Sequence, residues 1–127
     1  MDSKLVIGVI AGALVLLFGG TFIASQAGSQ AASPAMTNLA QCLAQEDATF
    51  YGAFWCPHCQ DQKEMFGGAQ DALPYVECST PSGNGQRQVC REEGIETYPT
   101  WEFADGSRET GVLSADTLAE KTGCPAP

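Results

Sequence analysis

Thr49-Phe-Tyr-Gly-Ala-Phe-Trp-Cys-Pro-His-Cys59 is the stretch on which the reading of this chain turns. Thr49 to Trp55 is nearly continuous in apolar and aromatic residues, the pattern of a strand covered on both faces. Pro57 follows almost at once, and proline is well tolerated at a first helical position, so a helix is predicted from Pro57 to the Gly67-Gly68 pair. The two thiols therefore fall at a strand-to-helix junction. A thiol at a helix amino terminus meets unpaired backbone N–H groups and the positive end of the helix dipole, and both favour thiolate. Cys56 is expected as that thiolate, exposed at the tip and nucleophilic, with Cys59 one turn in, shielded, as the resolving thiol. Pro57 and His58 set the poise of the pair. A protonated His58 would stabilise the Cys56 thiolate and make the disulfide more oxidising.

Outward from this stretch, Thr37 is expected to cap a short helix to Gln45, with Leu39, Ala40 and Leu43 on one face. Pro74-Tyr-Val-Glu-Cys78 reads as a second strand, and the Ser79 to Gly85 loop leads into a helix containing Val89 and Cys90 and closed by Gly94. Thr100 to Phe103 and Arg108 to Val112 flank Ala-Asp-Gly-Ser, a hairpin signal, and Ser114 caps a last helix ending at Gly123. The class is α/β: a mixed four-stranded sheet flanked by helices. Trp101 and Phe103 alternate with polar neighbours and are assigned to the core, whereas Gln60 to Glu64 read as a solvated helix face. No internal repeat is present.

Tyr98-Pro99-Thr100 opens a strand after a short helix. With a CxxC upstream, the chain resembles the thioredoxin-like superfamily over about Met36 to Cys124, in which a cis-proline loop faces the CxxC and receives the substrate backbone. The resemblance implies redox roles for Cys56 and Cys59, carries Pro99 over as the cis-proline, and places Thr97, Tyr98 and Thr100 beside the substrate groove. Trp55, directly before Cys56, is expected to be partly exposed and to shape that surface. Tyr51 to Gly67, Pro74 to Cys78 and Tyr98 to Trp101 are similar to the thioredoxin-like domain fused to, or found beside, bacterial homologues of vitamin K epoxide reductase. That likeness implies a domain that passes disulfides to secreted proteins and is reoxidised by a quinone-linked membrane enzyme. Cys-Pro-His-Cys also resembles the motif of the periplasmic disulfide oxidase DsbA.

Three departures stand beside the likeness. A single anchor is expected in place of a fused membrane reductase, so the redox partner is expected to be a separate vitamin K epoxide reductase-like oxidase. The amino-terminal strand of full thioredoxins is expected to be missing. Thioredoxins and DsbA carry a buried acid six residues before the first motif cysteine, and Phe50 occupies that position.

Leu5 to Ala24 is a run of 20 residues without a charge, which as a helix would rise roughly 30 Å and match a bilayer's hydrocarbon core. Residues 1–4 are expected to be a cytoplasmic start, 5–24 a transmembrane anchor, 25–35 a flexible linker, and 36–127 the folded domain. Lys4 is the only positive flank, so the positive-inside rule places the domain outside the cell membrane. The alternative is a cleaved signal peptide with Ser25-Gln26-Ala27 at its end. A net charge of -9, with six Lys and Arg against 15 Asp and Glu, excludes a nucleic-acid surface. The expected substrates are exported cysteine-containing proteins. Thiol exchange calls for no cofactor, and a second ligand pair at zinc-finger spacing is missing, so no metal is assigned. Two alternatives remain open: a disulfide reductase fed through the membrane, and a tethered metal carrier using Cys56 and Cys59.

Four further cysteines allow three pairings once Cys56 and Cys59 are set aside. Cys78 ends a strand and Cys90 sits in the next helix, so a bond across the intervening loop is expected, leaving Cys42 with Cys124 as a clasp on the two ends of the domain. Two buried thiols are the alternative for that second pair.

Overall fold

A computed structural model describes residues 31–127. The expected cytoplasmic start, the anchor at 5–24 and most of the linker lie outside the described residues. Among the described residues, no helix is long and apolar enough to cross a membrane.

Helix α1 spans Pro34–Gln45, strand β1 Thr49–Gly52, helix α2 Pro57–Phe66, a tight 3-10 helix Gly67–Ala72, and strand β2 Tyr75–Glu77. Helix α3 (Gln88–Glu92), strands β3 (Thr100–Glu102) and β4 (Arg108–Thr110), and helix α4 (Ala115–Thr122) complete the domain. The folded part starts earlier than the Met36 boundary and the Thr37 cap anticipate. Ser33 is the cap, its hydroxyl accepting from the Met36 N–H at 3.2 Å, and Pro34 occupies the first turn. Serine followed by proline is a helix start that the small, polar composition of the linker disguises.

The sheet order is β2-β1-β3-β4, with β1 parallel to β2 and antiparallel to β3, and β3 antiparallel to β4. Strand β1 is shorter than the apolar run that announced it and ends at Gly52. Its period-two alternation feeds two cores. Phe50 packs with Leu39, Leu43, Phe66, Trp101 and Leu118 under α1, α2 and α4, while Tyr51 faces Cys78, Cys90 and Ile95 on the side of α3. Phe50 and Trp101, partners across β1 and β3, stack with centroids 4.8 Å apart. Phe50 thus places a stacked aromatic ring at the position where the resemblance calls for an acid.

Gln62 corrects the expectation of a solvated α2 face. It is fully buried: its amide oxygen accepts from Trp101 Nε1 at 3.1 Å and from the Leu113 N–H at 2.8 Å, and its amide nitrogen donates to the Leu113 carbonyl at 3.0 Å. One satisfied amide thus ties α2 to β3 and to the segment entering α4. The Gly67-Gly68 pair does end α2, but the chain continues as the 3-10 helix, which packs against α1 and α2.

Disulfides join Cys42 to Cys124, with Cα atoms 6.0 Å apart, and Cys78 to Cys90, at 5.5 Å. The first closes a span of 82 residues and clasps α1 to the end of α4; the second closes a span of 12. Cross-linking removes chain entropy from the unfolded state by an amount that grows with the span, about 4.5 kcal/mol for the first and about 3 kcal/mol for the second. Replacing Cys42 and Cys124 together by alanine is expected to lower unfolding free energy more than replacing Cys78 and Cys90, as read by urea denaturation with the remaining disulfide intact.

Candidate active site

The dithiol sits where β1 gives way to α2. Cys56 is the amino-terminal cap residue of α2, in extended conformation (φ -79°, ψ 118°), and Pro57 follows at the first helical position. Cys56 caps α2 without a side-chain hydrogen bond to the helix, which leaves its thiol free to face the other side of the cleft. There the Tyr98–Pro99 peptide is cis, and the Cys56 thiol donates to the Tyr98 carbonyl at 3.7 Å. This cover corrects the expectation of an exposed tip. Cys56 is only 5% exposed and Cys59 1%, and both are free thiols.

Cys59 lies one turn into α2 with its sulfur against the backbone of β1. A Cβ on Gly52 would stand 3.0 Å from Cys59 Sγ and 2.8 Å from Cε2 of Tyr75, so glycine is what lets thiol and ring meet there. Burial, followed by the hydrogen bond to Cys56, pushes the Cys59 thiol up to about 12. Lys63 pulls weakly the other way. Its Nζ stands 3.5 Å from the centroid of the Tyr75 ring.

The remaining expected site residues surround this pair unequally. Trp55 is 50% exposed, edge-on to Tyr98 with centroids 6.0 Å apart, and its indole N–H donates to Ser79 Oγ at 3.0 Å. Thr97 is exposed and Tyr98 half-buried, its hydroxyl accepting from Gln86 at 2.8 Å. Pro99 and Thr100 are buried. Thr100 turns its hydroxyl back to the Thr97 carbonyl at 2.6 Å, so its side chain braces the loop that carries Pro99. His58 is 73% exposed, with Nδ1 3.6 Å from an Asp61 carboxylate oxygen one turn on. That carboxylate offsets part of any charge His58 brings to the motif. Phe54, 49% exposed beside Trp55, belongs to the same face; in the sequence it is hidden inside an apolar run with the pattern of a strand. Glu77, at the end of β2, carries no signal in the sequence, yet it accepts from the Phe54 N–H at 3.2 Å.

A β2-β1-β3-β4 sheet with a dithiol at the β1–α2 junction and a cis proline across from it is a thioredoxin-like arrangement, with two free thiols placed at one end of the sheet. The sequence is 41% identical over 99 residues to the thiol-disulfide oxidoreductase LTO1 of Arabidopsis thaliana, covering 75% of this chain and 26% of that protein. It is 27% identical over 74 residues to mycoredoxin 1 of Corynebacterium glutamicum, covering 58% of this chain and 91% of that one. A solved thioredoxin of Malassezia sympodialis, Mala s 13, superposes with a TM-score of 0.42 at 22% identity, over 61% of this chain and 72% of its own. No protein-family model matches. The chain thus spans about a quarter of the length of the Arabidopsis relative.

Two outcomes are expected at the site. Gly52→Ala forces Cys59 or Tyr75 aside and should cost about 1–3 kcal/mol of stability, as overpacking does; the test is urea denaturation of the reduced protein. The Cys59 thiol, held near 12, stays protonated through neutral and mildly alkaline pH. Its raised value favours the reduced folded state below the ordinary thiol range, and that contribution is lost as pH climbs toward 12. Ultraviolet thiolate absorbance of the Cys56→Ala variant should therefore show no titration step in the ordinary thiol range.

Proposed function

We propose that this chain is an anchored, extracytoplasmic thiol-disulfide oxidoreductase that donates a disulfide to exported cysteine-containing proteins. In this reading it is reoxidised by a separate, quinone-linked membrane oxidase resembling vitamin K epoxide reductase. The observation that carries the activity is the dithiol itself: Cys56 at the start of α2 beneath the Tyr98 carbonyl, with Cys59 sealed behind it. In the oxidised state a substrate thiolate attacks Cys56 Sγ, the S–S bond breaks, and Cys59 leaves with the electron pair and takes up a proton. A second substrate thiol then attacks the substrate sulfur of the mixed disulfide, and Cys56 departs. Two electrons pass from substrate to protein, and the oxidase removes them.

Burial explains the division of labour. Cys59, walled in by Gly52 and Tyr75, meets no macromolecular sulfur, so only Cys56 forms the bond to substrate. The half-exposed Phe54 and Trp55 next to it give the substrate an apolar surface to lie on. The extracytoplasmic placement is supported by two structural disulfides, which persist in oxidising compartments, and by the apolar run with its single positive flank at Lys4. The oxidase partner rests on the likeness of the Tyr51 to Gly67 and Tyr98 to Trp101 strings.

Cys59→Ala removes the resolving thiol, so it should accumulate mixed disulfides through Cys56, visible as adducts on non-reducing gels of cells expressing it. Cys56→Ala should accumulate none. Equal capture by the two variants would overturn the assignment.

A further inference from the structure

Glu77 stands at the carboxyl end of β2, outside the motif, and its one carboxylate holds three donors. Oε1 accepts from the Phe54 N–H at 3.2 Å and the Ser79 N–H at 2.8 Å, while Oε2 accepts from the Tyr75 hydroxyl at 2.8 Å. Each of the three leads to the dithiol by a different route. Phe54 lies in the short stretch between β1 and Cys56, and its carbonyl accepts from Gln60 Nε2 at 2.9 Å, so this peptide is gripped from β2 on one side and α2 on the other. Ser79 carries the hydroxyl that takes the Trp55 indole N–H. Tyr75 presents the ring that meets Cys59 over Gly52.

Exposed aromatic side chains on a loop ordinarily gain little from a fixed pose. Here both Phe54 and Trp55 are half exposed, yet their backbone and indole are pinned by polar contacts that trace back to Glu77 or its bonded neighbour. Hydrogen bonds to an ionised acceptor are roughly twice as strong as neutral ones. We infer that Glu77 is a positioning residue of the redox site: through Phe54, Ser79 and Tyr75 it fixes both the aromatic surface in front of Cys56 and the wall behind Cys59. The inference rests on the oxidoreductase reading for its kinetic consequence and on geometry alone for its structural one.

Reach and charge can be separated. In Glu77→Gln the amide oxygen replaces Oε1 toward Phe54 and Ser79, and the amide nitrogen donates to the Tyr75 hydroxyl, which then accepts; the clamp survives without its charge. Glu77→Asp keeps the charge and loses the reach. The full chain and these two variants, with Glu77→Ala, are to be compared in oxidising a dithiol peptide and in amide hydrogen exchange at Phe54. Glu77→Asp and Glu77→Ala should lose roughly tenfold in kcat/KM, mainly through KM, and expose the Phe54 amide, while Glu77→Gln stays within about threefold and keeps it protected. Should Glu77→Ala fail to fold, the Asp and Gln pair carries the comparison. Wild-type kinetics and exchange in Glu77→Asp, or loss in Glu77→Gln equal to that in Glu77→Asp, would overturn the inference. A wild-type protein that oxidises no dithiol would overturn the oxidoreductase reading instead, and exchange at Phe54 would still decide for or against the clamp.

Discussion

Everything at the site follows from a missing side chain. Because Gly52 has no Cβ, the first turn of α2 can press Cys59 against β1 and bring Tyr75 to the same point from the neighbouring strand. The buried thiol then resists ionisation, since a charge there would lose its water. With Cys59 confined, Cys56 is left as the sulfur able to meet another protein, at the amino-terminal cap of α2. The asymmetry between the two cysteines is therefore a packing result before it is a chemical one.

The rest of the fold keeps that junction in place. Gln62 fastens α2 to Trp101 and Leu113, so the helix carrying Cys59 cannot slide along the sheet without leaving a buried indole N–H unpaired. On the other face the Cys78–Cys90 bond anchors the end of β2 and the loop beyond it. Within that loop Gly83, at φ +77°, brings the backbone against Phe54 and Trp55: a Cβ there would lie 3.7 Å from each ring. The covalent frame and the aromatic surface thus share one support. Cys42–Cys124 does the same for the two terminal helices, which in so small a domain have limited core to hold them.

The strand-to-helix junction, the order of elements and the hairpin were legible in the sequence, because each rests on a local signal: an apolar run, Pro57 after Cys56, the Ala-Asp-Gly-Ser turn. What escaped depends on contacts between distant segments. Cys56 looks exposed when only α2 is considered, and it is the Tyr98–Pro99 loop, over 40 residues away, that covers it. Gln62 sits in a run of polar residues, and only the register of α2 against Trp101 turns it inward. Thr100 shares a strand start with Pro99 but faces the loop's own backbone. Glu77 is silent in sequence because its distant partner, Phe54, is brought to it only by the parallel pairing of β1 and β2.

Disulfide donation as proposed requires that Cys56 and Cys59 form a reversible bond with each other. The direct measurement is its reduction potential, obtained by equilibrating the protein against glutathione buffers of graded composition and counting free thiols. A single two-electron couple on the oxidising side of glutathione is the predicted result. A strongly reducing couple would contradict the donor role and make the pair a reductase. Thiols that never form the bond would contradict the redox reading altogether.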